Sequence, residues 1–316
     1  LVRSLILLPS RWKSRFRAST IRGMTEPTTD NPYLFKTIGI IGVGLLGGSI
    51  AAAARQRNLA ETILGAGRNP SRMRAAQHSG LLNRGTTNIA ETSAQSDLIV
   101  VCTPVNHIVQ FIRTVAKNCR PGTIITDVGS TKQKICEDLY GSLPAGVTFV
   151  ASHPLAGSEK TGFEFADPDL FQGRPCVITP DDSLPREAVA RIKQFWEALG
   201  MHVLETSPQK HDQILAETSH LPHVVSSALA MTLTEENRKF TSTGFRDTTR
   251  IAAGAPSLWA EILLNNREAV VNSINKYTQS LQCLRDAIIN HDENQLRQLL
   301  EDGKKNHDAL NSSRNQ

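Results

Sequence analysis

The chain of 316 residues is 40% hydrophobic and carries 35 Lys and Arg against 30 Asp and Glu, a formal net charge of +5. That length can bury two cores, and no run approaches the ~18 consecutive apolar residues of a membrane helix, which excludes a helical membrane span. Residues 1–36 hold seven Lys or Arg and two acids, so the whole excess lies there, the remainder is neutral, and nucleic-acid binding loses its main support.

That first stretch has no acid before Glu26, and its apolar run, Leu5 to Leu8, is too short for a secretory signal. We expect residues 1–36 to be a leader or an over-extension, poorly ordered to about residue 33, with the natural start at Met24. The five cysteines are scattered, odd in number and without C-x-x-C spacing. Such usage points to a reducing cytoplasm and to neither a disulfide framework nor a structural zinc site.

The first element is an apolar run, Ile38 to Val43, short enough for a buried parallel strand. It enters Gly42-Val43-Gly44-Leu45-Leu46-Gly47, a G-x-G-x-x-G, and then the small-residue helix Ile50 to Ala54. In a dinucleotide site, Gly42 permits the turn, Gly44 admits the pyrophosphate and Gly47 lets helix and strand pack. The free N–H groups of the helix start, with Leu45 and Leu46, face the phosphate. Thr62–Gly67 reads as the second strand and Pro70 to Ser79 as a helix. Asp97 to Cys102 is a strand ending at Thr103-Pro104, and a helix from Val105 to Lys117 has Ile108, Phe111, Ile112 and Val115 on one face. Strands follow at Gly122–Val128, Val147–Ala151, Pro175–Thr179 and Met201–Glu205, with helices at Lys132–Tyr140 and Arg186–Leu199. Alternating strand and helix predicts an α/β Rossmann-type doubly wound, mostly parallel sheet over 37–206, with ligands beyond the strand carboxyl ends. Cys102, Thr103 and Pro104 should line the nicotinamide side; Cys102 reads as a small buried residue rather than a nucleophile.

The second strand normally ends in an acid that takes the ribose 2′-hydroxyl of NAD. Here it ends Gly65-Ala66-Gly67-Arg68-Asn69. Arg68 suits a 2′-phosphate, with Arg72 one turn on, which predicts NADP over NAD. The alternative is that Arg68 stacks on the adenine and either cofactor serves.

From Ser207-Pro208 onward no strand pattern remains. Leu221, Val224, Val225, Ala228 and Leu229 recur at helical spacing. Val270, Ile274, Tyr277, Leu281, Leu284 and Ile288 form a heptad-like seam, and a last helix from about Leu296 should end at Gly303. Residues 207–316 are thus expected to be an all-α domain whose seam pairs across a homodimer.

Four polar stretches remain: Asp127-Val-Gly-Ser-Thr-Lys132, Ser152-His-Pro-Leu-Ala-Gly-Ser-Glu-Lys-Thr-Gly162, Ser219-His-Leu-Pro-His223 and Gly244-Phe-Arg-Asp-Thr-Thr-Arg250. In this order, over roughly residues 37–290, the chain resembles the prephenate/arogenate dehydrogenase family of tyrosine biosynthesis. The likeness is to the short form, without an appended regulatory or chorismate mutase domain. It implies an enzyme that transfers a hydride from C4 of a cyclohexadienol to NAD(P)+ as the ring carboxylate leaves as CO2. It implies His153 as the base for the 4-hydroxyl, an imidazole suited by its pKa near 6.5. Ser130 would orient that hydroxyl, or cap the helix that follows. Arg250 would clamp a carboxylate unless it is a surface salt bridge. His220 and His223 would contact substrate; their H-x-x-H spacing has no third ligand, so no metal is expected, and the plainer alternative is a polar pair at a helix start. Glu159 and Asp247 match acids at the pocket mouth, Ser158 lies beside them in the substrate loop, and Trp259 is either pocket wall or core. With residues from both domains, the active site is expected in the interdomain cleft. The rivals are a β-hydroxyacid dehydrogenase or imine reductase of the same plan, with Lys239 or Lys276 as acid/base, and a non-catalytic NAD(P)-binding sensor.

Overall fold

The computed structural model describes residues 32–158 and 160–312, so the expectations for residues 1–31 and for Glu159 lie outside the described residues. Two compact units meet in sequence at Pro208 and Gln209. Among the described residues no helix is long and apolar enough to cross a membrane.

The first unit opens with β1 (Phe35–Ile41), α1 (Leu45–Gln56), β2 (Ala60–Ala66) and α2 (Pro70–His78). Sequence pattern does not mark the next two elements, β3 (Arg84–Thr86) and α3 (Ile89–Gln95), whose three and seven residues are too short for a periodic signal. Then come β4 (Leu98–Val101), α4 (Val105–Ala116), β5 (Ile124–Asp127), α5 (Gln133–Leu139) and β6 (Thr148–Phe149). Helix α4 buries Ile108, Ile112 and Val115, while Phe111 stays half-buried at the edge of that core. All six strands pair in parallel, in the order β3-β2-β1-β4-β5-β6. Every residue of β4 is buried, as its unbroken Leu-Ile-Val-Val requires of a central strand covered on both faces. The strand order reverses between β1 and β4, the position where open α/β sheets bind ligands.

The later strands leave this sheet. Val150 N–H still donates to Ile125 O at 2.9 Å, but Ser152 N–H donates to the Asp127 carboxylate at 3.0 Å. A side chain thus replaces the next backbone acceptor, and the chain peels away from β5. It forms a second sheet of β7 (Ser152–Pro154), β8 (Pro175–Ile178) and β9 (His202–Glu205), with β7 antiparallel to β8 and β8 parallel to β9. His153 therefore lies within a strand of this second sheet, paired with Val177, just past the end of the expected strand Val147–Ala151. Helix α6 (Arg186–Ala198) buries Ile192, Phe195 and Trp196, with Trp196 edge-on to Phe171 and Phe195.

The second unit is helical: α7 (Pro208–Leu215), α8 (Leu221–Met231), α9 (Thr243–Thr249), α10 (Pro256–Asn265), α11 (Arg267–Ile289) and α12 (Glu293–Ser312). A π turn, Ala216–His220, joins α7 to α8. Pro222 accounts for it, because its ring clashes with the carbonyl four residues back and a widened turn relieves the clash. The expected apolar face of α8 is only partly buried; the buried residues are His223 and Ser226. Helix α12 runs through Gly303 instead of ending there. No Cβ contact constrains that glycine, and i,i+4 pairs such as Arg297 with Glu293 and Lys304 with Asp308 offset its cost of about 1 kcal/mol.

Candidate functional site: a dinucleotide edge and a histidine cluster

The three glycines of the β1–α1 turn have separate tasks. Gly42 has φ +94°, and a Cβ there would stand 2.7 Å from Cys102 O. A Cβ on Gly47 would collide with Gly42 O, so only glycine lets α1 seat against the turn. A Cβ on Gly44 would meet nothing within 4 Å, leaving open space at the helix start. Gly44 caps α1 without a side-chain hydrogen bond, and the first turn, Leu45 to Gly47, holds no acid. Its unclaimed N–H groups and dipole suit an anion. The residues fit a pyrophosphate.

The neighbouring strand ends extend this edge. Ile41 pairs with Val101, and Val101 with Asp127, so the loops after β1, β4 and β5 emerge side by side. Thr103 Oγ1 and Thr131 Oγ1 are buried without partners among the described residues. Pro104 caps α4. Burial, with the Asp127 carboxylate adding to it, pushes the Cys102 thiol far above its ordinary range, so it is no nucleophile. Arg68 is exposed and forms no hydrogen bond or ion pair among the described residues. Arg72 is engaged: it pairs with Glu164 at 2.9 Å and lies over the Phe163 ring.

Asp127 organises the end of β5 and the start of β7. Both it and Lys132 are fully buried and form an ion pair. The same carboxylate accepts from Gly129 N–H at 2.8 Å and from Ser152 N–H at 3.0 Å. One side chain therefore holds both the loop that carries Ser130 and the strand that carries His153. Ser152 Oγ is hydrogen-bonded to Thr126 Oγ1 at 2.7 Å, a second tie between β5 and β7. His153 is 8% exposed. Ser130 is no helix cap: α5 is preceded by Lys132 and has no side-chain cap, which leaves the Ser130 hydroxyl available. Ser158 is exposed and accepts from Lys160 N–H at 3.2 Å.

In the second unit, the His223 and Trp259 rings stack at 3.7 Å and 7°, and His220 meets Trp259 edge-on at 6.3 Å. Burial lowers the His223 pKa while the Ile251 backbone opposes it, and His223 Nδ1 is buried without a partner among the described residues. Burial, reinforced by His211 and opposed by Asp212, pushes His220 down to about 4. Trp259 is thus a wall shared by both imidazoles. Gly254 lets the turn Arg250–Ala253 approach, since a Cβ there would collide with Trp259 Nε1 and stand 3.2 Å from the His223 ring. Ser226 Oγ donates to Thr248 O at 3.0 Å, tying α9 to α8. Arg250 and Asp247 are exposed, and no ion pair of Arg250 is formed among the described residues.

Residues 50–205 match the family description "Prephenate dehydrogenase, nucleotide-binding domain", and residues 207–302 match "Prephenate dehydrogenase, dimerization domain". Cyclohexadienyl dehydrogenase of Zymomonas mobilis is 33% identical over 88% of this chain and 97% of its own length. This chain belongs to the prephenate dehydrogenase family. Among solved structures, prephenate dehydrogenase of Aquifex aeolicus, in complex with hydroxyphenyl propionate and NAD+, superposes with a TM-score of 0.81. It is 32% identical and covers 87% of this chain and 98% of its own. Synechocystis arogenate dehydrogenase follows at a TM-score of 0.76 and 29% identity, covering 87% of this chain and 99% of its own.

Sequence reasoning missed three residues that organise these sites. Lys132 closed a chemical-looking stretch, but nothing in its spacing marked it as the buried partner of Asp127. Glu164 follows Gly162 and Phe163, just past the end of the His153 stretch, and engages Arg72 only through folding. Asn266 sits at a helix junction with no motif around it.

Proposed function

We infer that the chain oxidatively decarboxylates prephenate, arogenate or both, with hydride transfer to a nicotinamide cofactor, in tyrosine biosynthesis. The observation that carries this is Asp127 holding the Ser130 loop and the His153 strand together, beside a glycine turn fitted to a pyrophosphate. The β1–α1 turn and the Cys102–Pro104 loop would hold the cofactor, which would supply the hydride acceptor. His153 accepts the 4-hydroxyl proton as the C4–H electron pair departs. The C1–carboxylate bond then breaks, its electrons complete the aromatic ring, and the proton returns to the phenolic oxygen. Ser130 orients the hydroxyl, and Arg250, with Ser158, Glu159, His220, His223, Asp247 and Trp259, binds the rest of the substrate.

Residues 37–206 serve as the nucleotide half, with β1 beginning at Phe35, and residues 207–316 as the substrate and dimerisation half. NADP is the favoured cofactor because the exposed Arg68, and not an acid, follows the end of β2. Arg72 contributes only after parting from Glu164. A homodimer through the helical unit is favoured by the exposed apolar seam of α11, and a cytoplasmic setting by the free cysteines.

The test is steady-state kinetics with prephenate and arogenate, each with NAD+ and NADP+. NADPH formation from either substrate at a higher kcat/KM than NADH formation is the expected result. Turnover of 3-hydroxyisobutyrate alone favours the β-hydroxyacid rival, and cofactor binding without oxidation favours the sensor.

A further inference from the structure

Asn266 joins α10 to α11. Its backbone N–H donates to Ile262 O at 3.1 Å, and its carbonyl accepts from Val270 N–H at 3.0 Å. Its side chain is buried, and one atom makes two contacts: Nδ2 lies 2.7 Å from Asp212 O and 3.1 Å from His220 Nδ1. A backbone carbonyl can only accept, so the atom facing it must be the amide NH2, and the second hydrogen points to the imidazole. His220 Nδ1 must then be unprotonated, and a neutral ring with that nitrogen free carries its proton on Nε2. His220 is 1% exposed.

We propose that Asn266 is a positioning residue that holds His220 as the neutral Nε2–H tautomer, and that this N–H is a fixed donor to an oxygen of the substrate. The π turn contributes, because His220 is its last residue and Asp212 O lies on the helix just before it. The Asn266 amide therefore bridges α7 to the last residue of the π turn. The charged and titratable groups around His220 are Asp212, which favours an imidazolium, and His211, which disfavours one. They pair with each other at 2.7 Å. Burial adds to the His211 side, and the Asn266 donor excludes a proton on Nδ1 directly. A donor fixed in this way does not titrate across the neutral range, unlike an ordinary histidine.

The ligand role of His220 rests on the function proposed above; the tautomer does not. The full chain, labelled with ¹⁵N-histidine, tests the tautomer by long-range ¹H–¹⁵N correlation, with His220→Gln identifying the signal. The expected ring has an unprotonated Nδ1 and a protonated Nε2, unchanged between about pH 8 and 5. Asn266→Asp offers Nδ1 an acceptor, so the proton should move to Nδ1 or the ring become an imidazolium. The kcat/KM profile should then gain an ionisation, and substrate KM rise about tenfold with cofactor KM unchanged, the loss of one hydrogen bond. A wild-type ring protonated on Nδ1, or titrating near its ordinary value, overturns the proposal without any variant, so it stands or falls even if Asn266→Asp does not fold. An Nε2–H ring with substrate KM unchanged in His220→Leu, which has no donor, overturns the donor role. An Nε2–H ring in a protein that oxidises neither prephenate nor arogenate refutes the proposed function and leaves the positioning role of Asn266 supported.

Discussion

In the nucleotide-binding unit, α6 buries Ile192, Phe195 and Trp196 completely, and β4 hides all four of its side chains. On α11 of the helical unit, Tyr277, Leu281, Ile288 and Ile289 are 38–63% exposed, and Met231 of α8 is 82% exposed. The first unit is a closed core, whereas the second has an apolar surface that one copy of the chain leaves uncovered. Their polar interiors differ too. The first unit buries opposite charges, Asp127 and Lys132, while the second buries imidazoles whose pKa burial lowers, beside a buried His211–Asp212 pair. A buried ion pair fixes geometry strongly but is sensitive to loss of either partner. Neutral rings hold hydrogen-bond directions at a lower desolvation cost, and they are vulnerable to acid instead.

The contrast can be broken most severely at Lys132. Lys132→Ala leaves the Asp127 charge buried and unpaired, and should cost about 3–5 kcal/mol in denaturant unfolding. An isoenergetic variant would mean that Asp127 does not depend on its cation. Next comes acid. His220 has its folded pKa depressed from 6.5 to about 4, so the unfolded chain binds more protons through that window. Stability is therefore full above about pH 6.5 and falls as pH drops towards 4, by about 3 kcal/mol from this residue. His220→Gln should flatten that part of the stability–pH curve; an unchanged slope would assign it to other groups.

Chemistry is read by His153→Asn, which should lower kcat at least about 100-fold with little change in unfolding free energy. The opposite pattern, lost stability with retained kcat, would make His153 a structural residue of β7. Arg250→Ala should raise substrate KM about tenfold or more while leaving cofactor KM alone, as expected for a charge-assisted hydrogen bond in the helical unit. A shift in cofactor KM instead would remove it from the carboxylate role. Mildest is Leu281→Ala, which removes a half-exposed side chain from the apolar seam. It should weaken self-association by about 1 kcal/mol per protomer, visible by sedimentation as a raised dimer dissociation constant. No change would place the interface on another face.

Much of this was legible from local pattern. The β1–α1 turn was readable because Gly42, Gly44 and Gly47 are each demanded by backbone geometry within a few residues, and helix and strand periods follow from near neighbours. The family-bearing stretches around His153, Ser130, His223 and Arg250 could also be found in linear order. Other features depend on residues far apart in the chain. Asp127 replaces a backbone acceptor for Ser152 and so lifts His153 onto a second sheet; Arg72 meets Glu164 across 92 positions; and Asn266 sets the His220 proton across 46. Gly303 and Ser130 show the same limit in reverse, since each carried a local signal, for a helix end and a cap, that packing and helix register overrode. Sequence alone determined most of the longer elements and which chemical groups are available. Tertiary structure decided which of those groups share a proton or a charge, because hydrogen bonds and ion pairs act over about 3 Å of space regardless of their separation along the chain.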